Sequence, residues 1–291
     1  MLNDAAGLPD LPGLDSLRRR SLADLLPRLM SAIILMTAAL VSVWRGGAVF
    51  DLIWFCAAVA VAYEWQSLIA APRPVTRCLL AAFGLAAGAL LLTEPRVLCA
   101  GAAFGASGLA VALVAGKGRR IWAFCGVAYA ATLLMSLYAL YRPEDFGARS
   151  ILWLFAIVWG TDVFAYFGGQ LIGGPRLWPR VSPSKTWSGT LTGIFAGAVL
   201  GSAIGGHGLG LKAQASLFAV GLATSAISQA GDIFESWVKR RFGLKDSSGL
   251  IPGHGGFMDR LDGFIAAAAF AAILGAARDE PSIASGLFMW N

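Results

Sequence analysis

Nine stretches of about twenty apolar residues, divided by short polar connectors, leave this chain few folds to adopt. A helix needs about 20 residues to cross the hydrocarbon core of a bilayer. The runs at 27–44, 48–70, 77–93, 97–115, 121–141, 150–172, 187–206, 213–236 and 257–277 are all of that order. Only Glu94, Pro95 and Arg96 part the third from the fourth. Lipid offers no hydrogen bonds, so each run must satisfy its backbone internally, as a helix does. Charged residues make up 14% of the chain, against roughly 25% in a soluble domain. The mean hydropathy is +0.68. The expected fold is therefore all-α: a polytopic integral membrane helical bundle of about nine transmembrane helices. The 36 glycines suit it, because small residues let membrane helices approach closely.

Charge sets the orientation. With nine spans the termini lie on opposite sides. The N-terminal segment and even-numbered loops then hold 17 of the 23 lysines and arginines. The positive-inside rule places that side in the cytoplasm. Residues 1–26 are polar, with Pro9, Pro12 and the run Arg18-Arg19-Arg20, and read as a cytoplasmic N-terminal arm. Residues 27–291 read as a single transmembrane domain. Its 27–149 half is a scaffold with few polar residues inside its spans, and its 150–291 half carries the chemistry. The net charge of +6 sits between apolar spans, so lipid headgroups or an anionic substrate fit it better than nucleic acid. Cys56, Cys78, Cys99 and Cys125 lie in or beside apolar runs with no C-x-x-C pair, which reads as buried structural thiols.

The segment from Ser236 to Gly263 breaks the apolar pattern most sharply. It holds Lys239, Arg240, Arg241, Lys245, Asp246, Asp259, Arg260 and Asp262 between two apolar runs. Ionisable groups at membrane depth are costly, and their default reading is functional. On a helical eighth span, Asp232, Ser236 and Lys239 share a face. Asp232 lies near that helix's end, where a carboxylate is disfavoured, so a cationic partner is expected. Asp259 and Asp262 share a face at the start of the ninth span, where dipole stabilisation is the structural alternative. Carboxylates converging from neighbouring helices suit Mg²⁺, which binds one or two of them together with substrate phosphates. The turn Ile251-Pro252-Gly253-His254-Gly255-Gly256 before a helix start reads as a phosphate cradle. His254 is a turn residue or a general base.

A second polar island runs from Thr161 to Gly189. Asp162, alone in the apolar sixth span, is expected to face the bundle interior and find a partner. Downstream lie Arg176, Arg180 and Ser182-Pro183-Ser184-Lys185-Thr186. Ser184 or Thr186 can cap the next helix. Lys185 reads as a phosphate contact. In the second span, Glu64 is expected to pair structurally with a base from the chemical half.

The stretch Ser236, Lys239, Arg240, Lys245, Asp246, Pro252, His254, Gly255, Gly256, Asp259, Arg260, Asp262 closely resembles the signature of the phosphatidate cytidylyltransferase family. Asp162, Ala165, Tyr166, Ser182, Pro183, Lys185 and Thr186 match it upstream. The match covers about the last 130 residues, where the earlier half is alike only in hydropathy. The resemblance implies transfer of a cytidylyl group from CTP to phosphatidate, giving CDP-diacylglycerol and pyrophosphate, with Mg²⁺. It implies a homodimer in the inner membrane with a cytoplasm-facing site, and Asp232 and Asp259 as the metal-site acids. Lys239, Lys245, Arg260, Asp246 and Asp262 join them as catalytic candidates. Lys185, Ser182, Thr186, Ser236, Arg240, Gly255, Gly256, His254 and Asp162 are the substrate-binding candidates.

The chain departs from the family pattern at Gln170 and Gly174, where a basic residue is usual, and at Ser188, where Glu or Gln is. Arg176 and Arg180 can compensate for the charge. The competing readings are a polyprenol-type kinase, which releases CDP, a transporter with a polar midplane path, and an inactive relative. Ionisable residues gathered on one face argue against transport.

Overall fold

The computed structural model describes residues 14–92, 96–141, 146–251, 255–278 and 280–290, with side chains from residue 27 onward. The chain folds as a helical membrane bundle. Its helices are α1 (Leu14–Arg45), α2 (Gly47–Leu68), α3 (Pro74–Leu92), α4 (Val97–Ala115) and α5 (Arg120–Tyr141), then α6 (Gly147–Ile172), α7 (Trp187–Gly205), α8 (Leu211–Arg241), α9 (Met258–Ala276) and α10 (Ile283–Phe288). Among the described residues, eight helices are long and apolar enough to cross a membrane, α1 (from Pro27) through α8. The ninth expected run also forms a helix, α9, but Asp259, Arg260 and Asp262 crowd its start and shorten its apolar stretch. Helix α1 begins at Leu14, within the polar arm, and continues through Pro27.

Two features were not anticipated. The connection between α6 and α7 folds into a small antiparallel hairpin of β1 (Arg176–Trp178) and β2 (Ser182–Thr186), with Arg176 opposite Thr186 and Trp178 opposite Ser182. After α9, Ser282 caps the short α10 by accepting from the Ser285 amide at 3.0 Å.

Close helix approach positions the polar end of the bundle. Gly189, Gly193, Gly197, Gly201 and Gly205 recur at every fourth position, forming one face of α7. A Cβ at Gly189 would stand 2.5 Å from the Ala165 carbonyl, and one at Gly193 2.5 Å from that of Thr161, so α7 lies directly on the α6 backbone. Such small-residue faces replace the hydrophobic driving force that lipid cannot supply between helices. Trp54 of α2, Phe155 of α6 and Phe264 of α9 stack in the core, with Trp54 and Phe264 centroids 5.3 Å apart. Trp65 and Gln66 of α2 each donate at 2.8 Å to α5, to the carbonyls of Trp122 and Ala123. The ends of α2, α6 and α8 and the starts of α7 and α9 thereby meet at one end of the bundle.

Candidate active site

The hairpin delivers Lys185. Thr186 caps α7 by accepting from the Gly189 amide at 3.1 Å, the structural role open to it from sequence. Ser188, one of the departures from the family pattern, donates to the Gly173 carbonyl and ties the start of α7 to the end of α6. Held this way, Lys185 Nζ reaches α8, 2.5 Å from Asp232 Oδ2 and 3.1 Å from Gln229 Oε1. The cationic partner expected for Asp232 is therefore Lys185, 47 residues away. Asp162 is exposed rather than enclosed. Its carboxyl nonetheless interacts electrostatically with Asp232, Lys185 and Arg260, so both polar islands share one cluster.

One turn further along α8 lies a second ion-pair group. Lys239 Nζ is 2.6 Å from Glu235 Oε2 and 2.7 Å from Asp259 Oδ1, bridging α8 to α9. Asp259 Oδ2 also accepts from the amides of Gly256 at 2.9 Å and Ser247 at 3.2 Å. The Gly256 N–H, expected to face a phosphate, is thus donated to Asp259. Glu235 is 1% exposed, and its Oε2 is paired with the Lys239 ammonium, which it shares with Asp259.

The crossing of α8 over α9 brings Asp232 and Asp262 together. A Cβ at Gly231 would stand 2.7 Å from the Asp262 carbonyl, and one at Gly263 2.7 Å from Asp232 Oδ1. The Asp232 carboxylate occupies the space that a side chain at residue 263 would take. Asp262 is half-buried and interacts electrostatically with Asp232, Glu235 and Asp162.

Other expected residues stand apart. Lys245 and Asp246 are exposed on the segment after α8, just before Ser247. Arg240 is exposed and donates to the Leu244 carbonyl at 3.0 Å, closing the α8 terminus. Ser236 is half-buried on α8, and Ser182 is buried at the start of β2. Gly255 has φ +84°, a conformation glycine tolerates best, and pairs with Ile251. Pro252, Gly253 and His254 lie outside the described residues. Glu64 pairs with serine hydroxyls and backbone amides, where a base was expected.

Glu235, Gln229 and the serines that meet Glu64, Ser247 and Ser248, were missed in the sequence. Glu235 precedes Ser236 and is one turn from both Asp232 and Lys239, so the spacing that joined those two residues could have found it. Gln229 and the partners of Glu64 left no comparable signal.

Five carboxyls (Asp162, Asp232, Glu235, Asp259 and Asp262) meet three cations (Lys185, Lys239 and Arg260) among the described residues of this cluster. Partly buried charge needs compensation, and hard oxygen donors in excess suit a divalent ion such as Mg²⁺. Among the described residues, however, no group of three or more His, Cys, Asp and Glu side chains can hold a metal alone. A set of one or two carboxylates completed by substrate phosphates fits what is present.

Comparison with known proteins agrees with this chemistry. A family model described as "Cytidylyltransferase family" matches residues 26–277. The phosphatidate cytidylyltransferase of Brucella abortus (strain 2308) is 40% identical over 275 residues, covering 92% of this chain and 99% of that protein. That of Haemophilus influenzae is 32% identical over 284 residues, covering 84% and 96%. That of Helicobacter pylori is 38% identical over 131 residues, covering 45% and 47%.

Proposed function

The chain belongs to the cytidylyltransferase family, and we propose that it transfers the cytidylyl group of CTP to phosphatidate, giving CDP-diacylglycerol and pyrophosphate in phospholipid biosynthesis. The observation that carries the reading is the convergence of two Lys–Asp pairs, Lys185–Asp232 and Lys239–Asp259, at one end of the bundle. A phosphate-oxygen nucleophile is already anionic near neutral pH, so the site needs alignment and charge neutralisation more than a strong base.

A phosphatidate phosphate oxygen forms the new bond to the α-phosphorus of CTP. The bond from that phosphorus to the oxygen bridging to the β-phosphate breaks, and pyrophosphate leaves with the electron pair. Mg²⁺ held by Asp232 and Asp259 would supply Lewis-acid neutralisation of phosphate oxygens. Lys185 and Lys239, each already against a metal-site acid, orient those carboxylates and oppose phosphate charge. Arg260 adds positive charge beside Asp162. Lys245, Arg240, Ser182, Ser236 and Gly255 border the same end and complete the substrate surface. In this reading Asp246 and Asp262 would hold the bases in place or back the metal-site carboxylates once substrate is bound, Asp262 from beside Asp232. Diacyl chains stay in the bilayer, with the site facing the cytoplasm of the inner membrane, as the distribution of basic residues supports. A homodimer is part of the same reading.

The test incubates purified protein with CTP, Mg²⁺ and phosphatidic acid and follows pyrophosphate and lipid product. Stoichiometric pyrophosphate and CDP-diacylglycerol, abolished by a chelator and restored by Mg²⁺, is expected. Release of CDP with a phosphorylated lipid would overturn the reading.

A further inference from the structure

Helix α9 starts without a cap of its own. Phe257 holds the capping position and provides no side-chain acceptor. The first amides of a helix have no intrahelical partner and need one. That partner comes from α2, far away in sequence. Glu64 is fully buried and its carboxylate takes four donors. Oε1 accepts from the Phe257 amide at 2.9 Å and the Ser248 hydroxyl at 2.5 Å. Oε2 accepts from the Met258 amide at 2.7 Å and the Ser247 hydroxyl at 3.0 Å.

The neighbouring donors belong to Asp259. It takes the Gly256 amide and the amide of Ser247, the residue whose hydroxyl goes to Glu64. Consecutive amides 256, 257 and 258 are thus divided between the two carboxylates. A side chain at residue 256 would leave no room for this, since a Cβ there would stand 2.6 Å from both Glu64 oxygens. The α2 end is itself rigid. Buried Arg77 donates to the carbonyls of Gln66, Ala71 and Pro72 and to Gln66 Oε1, all at 2.7–2.8 Å.

We propose that Glu64 is a positioning residue for the nucleotide: it pins Ser247, Ser248 and the start of α9 so that Asp259 and its Lys239 partner keep one fixed place in the CTP site. The assignment rests on the cytidylyl-transfer reading and gives the scaffold half a part in it. It also explains why a carboxylate is needed. All four partners donate here, and an amide at residue 64 would set its N–H group against a backbone N–H, which cannot accept, even if the serine hydroxyl beside it turned.

The test compares full-length wild type, Glu64→Gln and the milder Ser248→Ala in detergent micelles. In Glu64→Gln, the KM for CTP should rise about tenfold, the factor given by roughly one unsatisfied buried donor. The KM for phosphatidate should stay within about twofold, and Ser248→Ala should show a smaller CTP effect in the same direction. Amide hydrogen exchange at Ser247, Gly256, Phe257 and Met258 should quicken in Glu64→Gln while α3 and α4 keep their protection. A fall in kcat with CTP KM and these amides unchanged would show a purely structural residue and overturn the proposal. If Glu64→Gln does not fold, Ser248→Ala is read by the same two measurements, and an unchanged CTP KM with unchanged amides again overturns the proposal. The exchange arm does not depend on turnover, so a wild type inactive toward phosphatidate would sink the functional reading separately.

Discussion

Replacing Lys239 by Met tests whether the α8–α9 junction depends on its charge balance. The Lys239 side chain is 11% exposed, and its partners Glu235 and Asp259 are 1% and 10% exposed. Methionine keeps the length and packing of the stem but removes the only cation within 3 Å of either carboxylate among the described ion pairs. Two carboxylates then face each other in a site with little water. Removing one partner of a buried pair costs roughly 3–5 kcal/mol, chiefly because the remaining charge stays buried. At roughly 2–4 °C per kcal/mol, the melting point in detergent should fall by roughly 6–20 °C. Tryptophan fluorescence on heating reads this, with Trp122 and Trp237 near the junction. A compensating change fixes the cause. Lys239→Met combined with Glu235→Gln removes one of the two stranded charges and should recover about half of the loss, a coupling of at least ~1 kcal/mol. A single variant melting within about 2 °C of wild type would refute the reasoning. So would a double variant less stable than the single one.

Other variants probe the remaining contacts. Asp259→Asn should abolish pyrophosphate release while the protein still inserts and elutes normally on size exclusion; full activity would remove the metal role proposed for Asp259. Lys185→Met strips Asp232 of its cation and should lower kcat/KM by about 10²-fold, the lower range for removing one electrostatic contact to a transition state. Steady-state kinetics with CTP varied checks it. Gly193→Val forces branched carbons against the Thr161 carbonyl and should destabilise the α6–α7 pair by about 1–3 kcal/mol, seen as a lower melting point. Gly101→Val, with open space at its Cβ, is the matched control.

Apart from the start of α1, which extends back into the polar arm to Leu14, the expected span ends fall within about five residues of the helices observed, even at the short division between α3 and α4. Length and apolarity are local properties, and lipid requires each span to satisfy its own backbone. The polar islands were equally legible, because charge is conspicuous in so apolar a chain. The hairpin carrying Lys185 was not, since β1 and β2 are only three and five residues long and show no alternation of apolar and polar residues long enough to mark a strand. Glu235 was obscured by the charged residues that follow it.

What the amino-acid order determined by itself was the set of helices and the residue types able to handle phosphates. Partnership was decided only in three dimensions: Lys185 with Asp232, Lys239 with Asp259, and Glu64 with an α9 start 193 residues away. The reason is geometric. Which side chains meet depends on how closely two backbones can cross, and that is set jointly by glycines on different helices, such as Gly231 on α8 and Gly263 on α9.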